Sequence, residues 1–296
     1  VEPACYWSAE LICAGHYPDL WDIIITFMSK HIHLANPKLC IYIDLRFGNF
    51  KQIVTNGYIG NELRMRNNHK IRSLFGEIIC ILCNSKKKHS YEGLKIKKKE
   101  EFDITQIHDK LKAPNIHYAD QVFLSGDPKE LFIPINEFAY HVSKDSKNSL
   151  SATYWFEWLL EFEMICKIKK QKCVCERRSN MPVDDKYQMD PIWIIWEIIQ
   201  KEAITKGKLV IKIINSLLNL YSLRFSDGVK KKRRYIIYFA ISLLTDPFDQ
   251  TLEIIDNKEL IDGVVKKIDL VYKQVKKNEE SPKTEYLNSG GKSDLD

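Results

Sequence analysis

A chain of 296 residues with 45% hydrophobic content can form one large or two ordinary domains around a sizeable core. Its eight scattered cysteines exclude a small disulfide-stapled scaffold, and a net charge of +6 falls short of the strongly basic balance of a dedicated nucleic-acid domain. The longest apolar runs, IWIIW at 192–196 and YIIYFAISLL at 235–244, are shorter than the roughly 20 residues that cross a bilayer, so no transmembrane helix is expected. The opening VEPACYWSAEL lacks a basic stretch followed by an apolar one, which predicts no signal peptide. Reduced thiols then place the chain in the cytoplasm or nucleus.

Hydrophobic spacing is helical almost throughout and predicts helices over 19–33, 38–55, 70–84, 104–111 and 129–143 in the first half. The second half continues with 149–169, 192–203, 208–223, 228–245 and 258–277. Three starts carry a polar cap followed by proline, at Asn36-Pro37, Asp127-Pro128 and Asp190-Pro191. In 149–169 the apolar positions Trp155, Trp158, Leu159, Phe162, Ile165 and Cys166 stripe one face. Residues 192–199 are apolar nearly all round, the pattern of a helix buried centrally or covered by a partner.

The predicted class is therefore all-α, a multi-helix bundle or layered orthogonal helices. The charged insertion SKKKHSYEGLKIKKKEE at 85–101 is the expected joint between an N-terminal unit (1–84) and a C-terminal bundle (102–277), and its GLKIKK at 93–98 allows a short strand or hairpin arm. A single domain over 1–277 competes with that division. The polar end, 278–296, has no apolar period and is expected to be disordered.

CKIKKQKCVCERR at 166–178 poses a choice between a metal knuckle and a basic turn. Zinc thiolates normally stand in pairs with two to four residues between them. Cys166, Cys173 and Cys175 lack that spacing, while Cys80 and Cys83 have it inside an apolar helical run. The basic turn is the better reading; the three thiols remain candidate metal ligands, and no cofactor is expected. Cations after a helix end, such as Lys86–Lys88 or Lys167–Lys172, suit the macrodipole.

The run Lys230, Lys231, Lys232, Arg233 and Arg234 follows an apparent helix start at Ser226-Asp227-Gly228, where cations are unfavourable. Such a turn, with its unpaired N–H groups, points to an anion site. Arg64, Arg66, His69, Lys70 and Arg72 repeat the arrangement on a smaller scale. Pairing of these cations with carboxylates of a neighbouring helix is the competing explanation.

No GxxxxGK[ST], strand-borne GxGxxG, HExxH or GxSxG occurs. Glu157, Glu161 and Glu163 read as a solvent-facing helix edge, and Asp184 and Asp185 as loop residues. His31 and His33 at a helix end point to different faces and make no ligand pair.

The segments WSAEL, MSKHIHLANPKLCIYIDLRF, NGYIGNELRMRNNHKIRSLFGEIICILC and GVKKKRRYIIYFAISLLT resemble an uncharacterised protein family of large nucleocytoplasmic DNA viruses. The resemblance implies a viral context, in host-cell cytoplasm or virion, and brings no activity with it. The sequence thus leads to a non-enzymatic binding or scaffold protein, holding nucleic acid or another polyanion through its basic helix starts. Apolar surface at Trp193 and Trp196 is the expected protein interface. The alternatives are an assembly scaffold without nucleic acid, and an enzyme with a dispersed site drawn from Glu157, Glu161, Asp184 and Asp185.

Overall fold

The computed structural model describes residues 1–97, 102, 107–255 and 257–275, apart from the side chain of Glu62. The described residues form twelve α-helices and no strand. These are α1 (Glu2–Cys13), α2 (Tyr17–Phe27), α3 (Leu39–Thr55), α4 (Glu62–Arg66), α5 (His69–Asn84), α6 (Phe132–Val142) and α7 (Ser149–Ile168). They continue as α8 (Ile192–Lys206), α9 (Lys208–Ser222), α10 (Asp227–Lys232), α11 (Arg234–Thr245) and α12 (Lys258–Val275). The class is all-α, as the periodicity predicts. Among the described residues no helix is long and apolar enough to cross a membrane.

The chain divides into two compact units that are discontinuous in sequence, unlike the contiguous division expected. Unit 1 takes Val1–Trp21, Arg46–Asn84 and the described part of Asn257–Asp296; unit 2 takes Asp22–Leu45 and Ser85–Asp256. The reason lies in α12, which packs on α5 and α1.

In unit 1 the stripe Ile71, Leu74, Phe75, Ile78, Ile79 and Leu82 recurs at three- and four-residue steps and is buried. Asn68 caps this helix, its Oδ1 accepting from the Lys70 and Ile71 amides at 2.8 and 3.2 Å. Ile268 of α12 lies against Gly76, where an added Cβ would stand 2.8 Å from Ile268 Cδ1. Gly76→Ala gains helix propensity but overpacks this contact, and a net loss of about 1 kcal/mol is expected in urea unfolding. A gain would mean that Ile268 turns aside without cost.

Unit 2 is built on two helix pairs, α6 with α7 and α8 with α9, which α11 contacts in turn. From Ile236 to Thr245 every residue of α11 is buried. Trp193 and Trp196 of α8 are also fully buried, at 0% exposure, and Trp193 Nε1 donates to Tyr187 O at 2.6 Å. They belong to the core of this chain, which corrects the expectation that they present an apolar interface.

Several boundaries differ for physical reasons. The helix expected over 228–245 breaks at Arg233 (φ −90°, ψ 15°), whose side chain donates to the carbonyls of Tyr221 and Leu223 at the end of α9. The helix expected over 19–33 stops at Phe27 and passes into a π-turn, Met28–Ile32, then a 3-10 turn, His33–Ala35. Asp127 serves Arg178 rather than capping a helix, and 129–143 opens with a 3-10 turn, Lys129–Leu131. The helices α1 and α4 were not apparent from spacing. Residues 93–97 are irregular rather than strand-like. Lys98, residues 104–106 of the helix expected over 104–111, and the tail expected to be disordered lie outside the described residues.

Candidate functional site

The basic run at 230–234 is anchored from within. Ser226 Oγ accepts from the Val229 amide at 3.4 Å and starts α10. Lys230 is 5% exposed, and its Nζ donates to both oxygens of Glu163 at 2.7 and 2.9 Å and both of Asp190 at 2.9 and 2.7 Å. Burial, then the Asp190 charge, pushes the Glu163 carboxyl up to about 7 against the pull of Lys230. Burial acts to lower the Lys230 pKa, but Asp190 and Glu163 hold it above its ordinary value.

Arg233 donates to Asp22 Oδ1 at 2.9 Å as well as to the two carbonyls. Arg234 meets Glu157 at 3.1 and 3.3 Å, and the Tyr238 hydroxyl donates to the same carboxylate at 2.7 Å. Burial raises the Glu157 pKa, although Tyr238 and Arg234 favour its charged form. Glu157 and Glu163 are thus internal partners, not the solvent-facing edge expected. Lys230, Arg233 and Arg234 are committed to carboxylates of their own unit, which corrects the picture of a free anion site at a helix start. Lys232 remains exposed and Lys231 half-buried.

The second basic turn is also structural. Arg66 Nη1 donates to Cys13 O at 2.6 Å. Arg72 donates to Arg66 O at 2.7 Å, Asn67 Oδ1 at 3.1 Å and Asp269 at 3.3 Å, and lies over the Tyr272 ring at 4.5 Å. His69 Nδ1 is 2.9 Å from Asp269. These contacts tie α4, α5 and α12 together, leaving Arg64 and Lys70 exposed.

Two further lysine-rich stretches meet the 230–234 run, the turn after α7 at the start of α10 and residues 93–94 at the start of α11. Lys167 Nζ is 3.6 Å from Asp227 Oδ2, which sets the basic turn after α7 beside the start of α10. A Cβ on Gly93 would lie 3.7 Å from both Arg234 Nη1 and Tyr235 Oη, and Leu94 N donates to Tyr238 Oη at 3.2 Å. Lys30 Nζ stands 4.9 Å from the centre of the Tyr235 ring. The lysines at 86, 87, 88, 95, 97, 167, 169, 170 and 172 are exposed. Lys230 and Arg233 are paired with Glu163, Asp190 and Asp22, and the exposed lysines, Lys167 beside Asp227 among them, make up the basic part of this surface. Their convergence was not legible from the sequence, because the pairs that create it are long-range.

All eight cysteines are free. Cys166 and Cys173 are hydrogen-bond neighbours, and burial raises both thiols, Cys173 to about 12. Among the described residues no group of three or more His, Cys, Asp or Glu could hold a metal ion, so Cys166, Cys173 and Cys175 form no metal knuckle with their described neighbours. Asp185 pairs with Arg177 at 2.7 Å on the surface, while Glu157 is internal. A cleft of about 410 Å³ in unit 2 is lined by Lys147, Lys206, Val210, Leu243 and Phe248, with Asp246 its only carboxylate. None of Glu157, Glu161, Asp184 or Asp185 lines it.

No protein-family model, curated protein or solved structure matches the chain.

Proposed function

We propose that this protein binds nucleic acid through its phosphate backbone and is not an enzyme. The lysines of residues 86–97, 167–172 and 231–232 are the contacts. The observation that carries the reading is that Lys167 meets Asp227 at the start of α10 while Gly93 and Leu94 lie against Arg234, Tyr235 and Tyr238 of α11, with the inner cations paired to Glu157, Glu163, Asp190 and Asp22. Exposed ammonium groups release condensed counterions when they meet phosphates, and they impose no base preference. The mode differs from that expected of helix starts: flexible outer lysines replace backbone N–H groups as the donors.

The test is binding of a labelled DNA duplex and an RNA of equal length at about 50 and 200 mM salt. Reversal of Lys169, Lys170 and Lys172 to Glu is expected to weaken binding about tenfold or more at the lower salt. It also reduces the slope of log affinity against log salt by about 0.9 for each duplex phosphate no longer neutralised. Lys231→Glu with Lys232→Glu acts in the same direction. Arg64→Glu with Lys70→Glu, in the other unit, leaves affinity unchanged. Equal affinity in all these variants at low salt would overturn the proposal and leave a protein-assembly scaffold in its place.

A further inference from the structure

Residues 85–97 cross unit 2 without regular structure, yet four of them, 88–91, are held at one corner of the fold. The Lys88 amide donates to His31 O at 3.0 Å and the Tyr91 amide to Lys30 O at 3.1 Å. His31 Nδ1 is 2.6 Å from Ser90 Oγ. His33 Nε2 is 3.0 Å from His89 O, and its ring stacks on Tyr91 with centroids 4.1 Å apart. A carbonyl only accepts, so Nε2 carries the proton of a neutral His33 ring. Nδ1 is buried and meets no hydrogen-bond partner among the described residues.

The corner is also strained. His33 has φ +32° and ψ −113° and directly follows the π-turn Met28–Ile32. Backbone of this kind persists only where its surroundings over-determine it, and π-turns recur at functional positions. The surroundings here are the strap, 85–97, which carries five of the lysines assigned to phosphate binding.

We propose that the strap is a pH-released clasp on the nucleic-acid face, closed while His33 is neutral and loosened when His33 takes a second proton. Its role in binding rests on the function proposed above; the clasp itself does not. Protonation would place an N–H at Nδ1 with no acceptor among the described residues, beside an already filled Nε2 bond. The groups facing the ring are Lys88, His89 and Tyr91 of the strap, His31 of the π-turn, Phe239 of α11, and Asp246 after α11. Burial lowers the His33 pKa; Lys88 and His31 act with burial, whereas the His89 carbonyl and Asp246 oppose it. His31 is lowered in the same way, by burial and then by Lys30 and Lys87.

The sign follows from linkage. With the closed-state pKa below the ordinary 6.5, the clasp is fully closed above that value and is lost as pH falls through the lowered pKa. Between about pH 7.5 and 5.5 titration of His33 raises the opening equilibrium, by at most about tenfold for a free-ring pKa of 6.5.

Hydrogen exchange of the Lys88 and Tyr91 amides, corrected for the intrinsic pH dependence, measures this on the intact chain. Protection is expected to fall in the wild type and in His31→Gln, the His33 share by at most about tenfold. The fall is smaller in His33→Asn, which is of a residue type found at positive φ and cannot titrate, so that only the His31 share remains. His33→Gly, without the ring, loses protection at every pH. Constant wild-type protection, or a fall undiminished in His33→Asn, would overturn the clasp. A separate arm adds the DNA duplex at pH 7.5: increased protection supports the closed strap as the binding form. Unchanged protection there, with the pH response intact, counts against nucleic-acid binding and not against the clasp.

Discussion

Replacing Lys230 with methionine is expected to destabilise the protein by about 3–5 kcal/mol, the usual result of stripping a buried charge of its partner. The Lys230 side chain is 6% exposed, and those of its two partners, Glu163 and Asp190, are 15% and 11% exposed. Methionine keeps the length of the side chain and leaves the Asp190 carboxylate beside Glu163 without its cation. The conservative counterpart is Glu163→Gln, which leaves Lys230 with one carboxylate and a neutral neighbour. Because the folded-state pKa of Glu163 is raised to about 7 from the ordinary 4.5, its contribution is fully present below the lower value. That contribution disappears as pH rises through the higher one. Urea unfolding should therefore show a decline between these pH values that Glu163→Gln removes. A Lys230→Met variant within about 1 kcal/mol of the wild type would mean that the cluster is open to water.

The second large effect is expected at Arg178, again about 3–5 kcal/mol on substitution by methionine. Its guanidinium donates to Asp127 Oδ1 and Oδ2 at 2.5 and 2.6 Å, to Glu176 O at 2.6 Å, to Val122 O at 3.0 Å and to Glu197 at 3.2 Å. Arg178 and Asp127 side chains are 1% and 0% exposed. Asp127 also accepts from the amides of Leu124 and Glu176 at 2.8 and 2.9 Å. One ion pair thus joins the loop before α6, the loop before α8, and α8 itself. Burial alone would raise the Asp127 pKa, but Arg178 and the two amides hold it below 3.8, so this stability is present above that value and is lost as pH falls through the lowered pKa. Arg178→Lys restores the charge without the planar set of five donors and should recover only part of the loss. Full recovery would show that charge alone sustains the junction. The measurement is the denaturant midpoint at constant m-value, which separates stability from changes in compactness.

Helix positions were legible because burial follows local period: the all-round apolar pattern of α8 correctly indicates a central or covered helix, and the core of unit 2 supplies the cover. Side-chain partnerships were not legible, because they join residues distant in sequence. Five cations at an apparent helix start imply compensation, and compensation exists, but Glu163 and Asp190 stand 67 and 40 positions from Lys230. The same cations therefore read as a phosphate site until their partners are seen. Asp127 illustrates the converse: its proline neighbour suggests a cap, whereas its carboxylate belongs to an arginine 51 positions away. The helix α1 escaped notice because its buried residues, Cys5, Ser8, Ala9, Ile12 and Cys13, are mostly small, and the large Trp7 is exposed.

The discontinuity of unit 1 has a consequence for the nascent chain. On the ribosome α5 emerges well before α12, and at about 5–20 residues per second roughly 10–35 s separate the two. Through that interval the surface of α5 that receives Ile268 beside Gly76 has no cover from its own unit. A polypeptide arrested before Lys258 would keep that stripe uncovered and be a natural client for a holdase chaperone. Unit 2, whose segments have all been synthesised by residue 256, can be finished first, so the first residues to be made belong to the last unit to be completed.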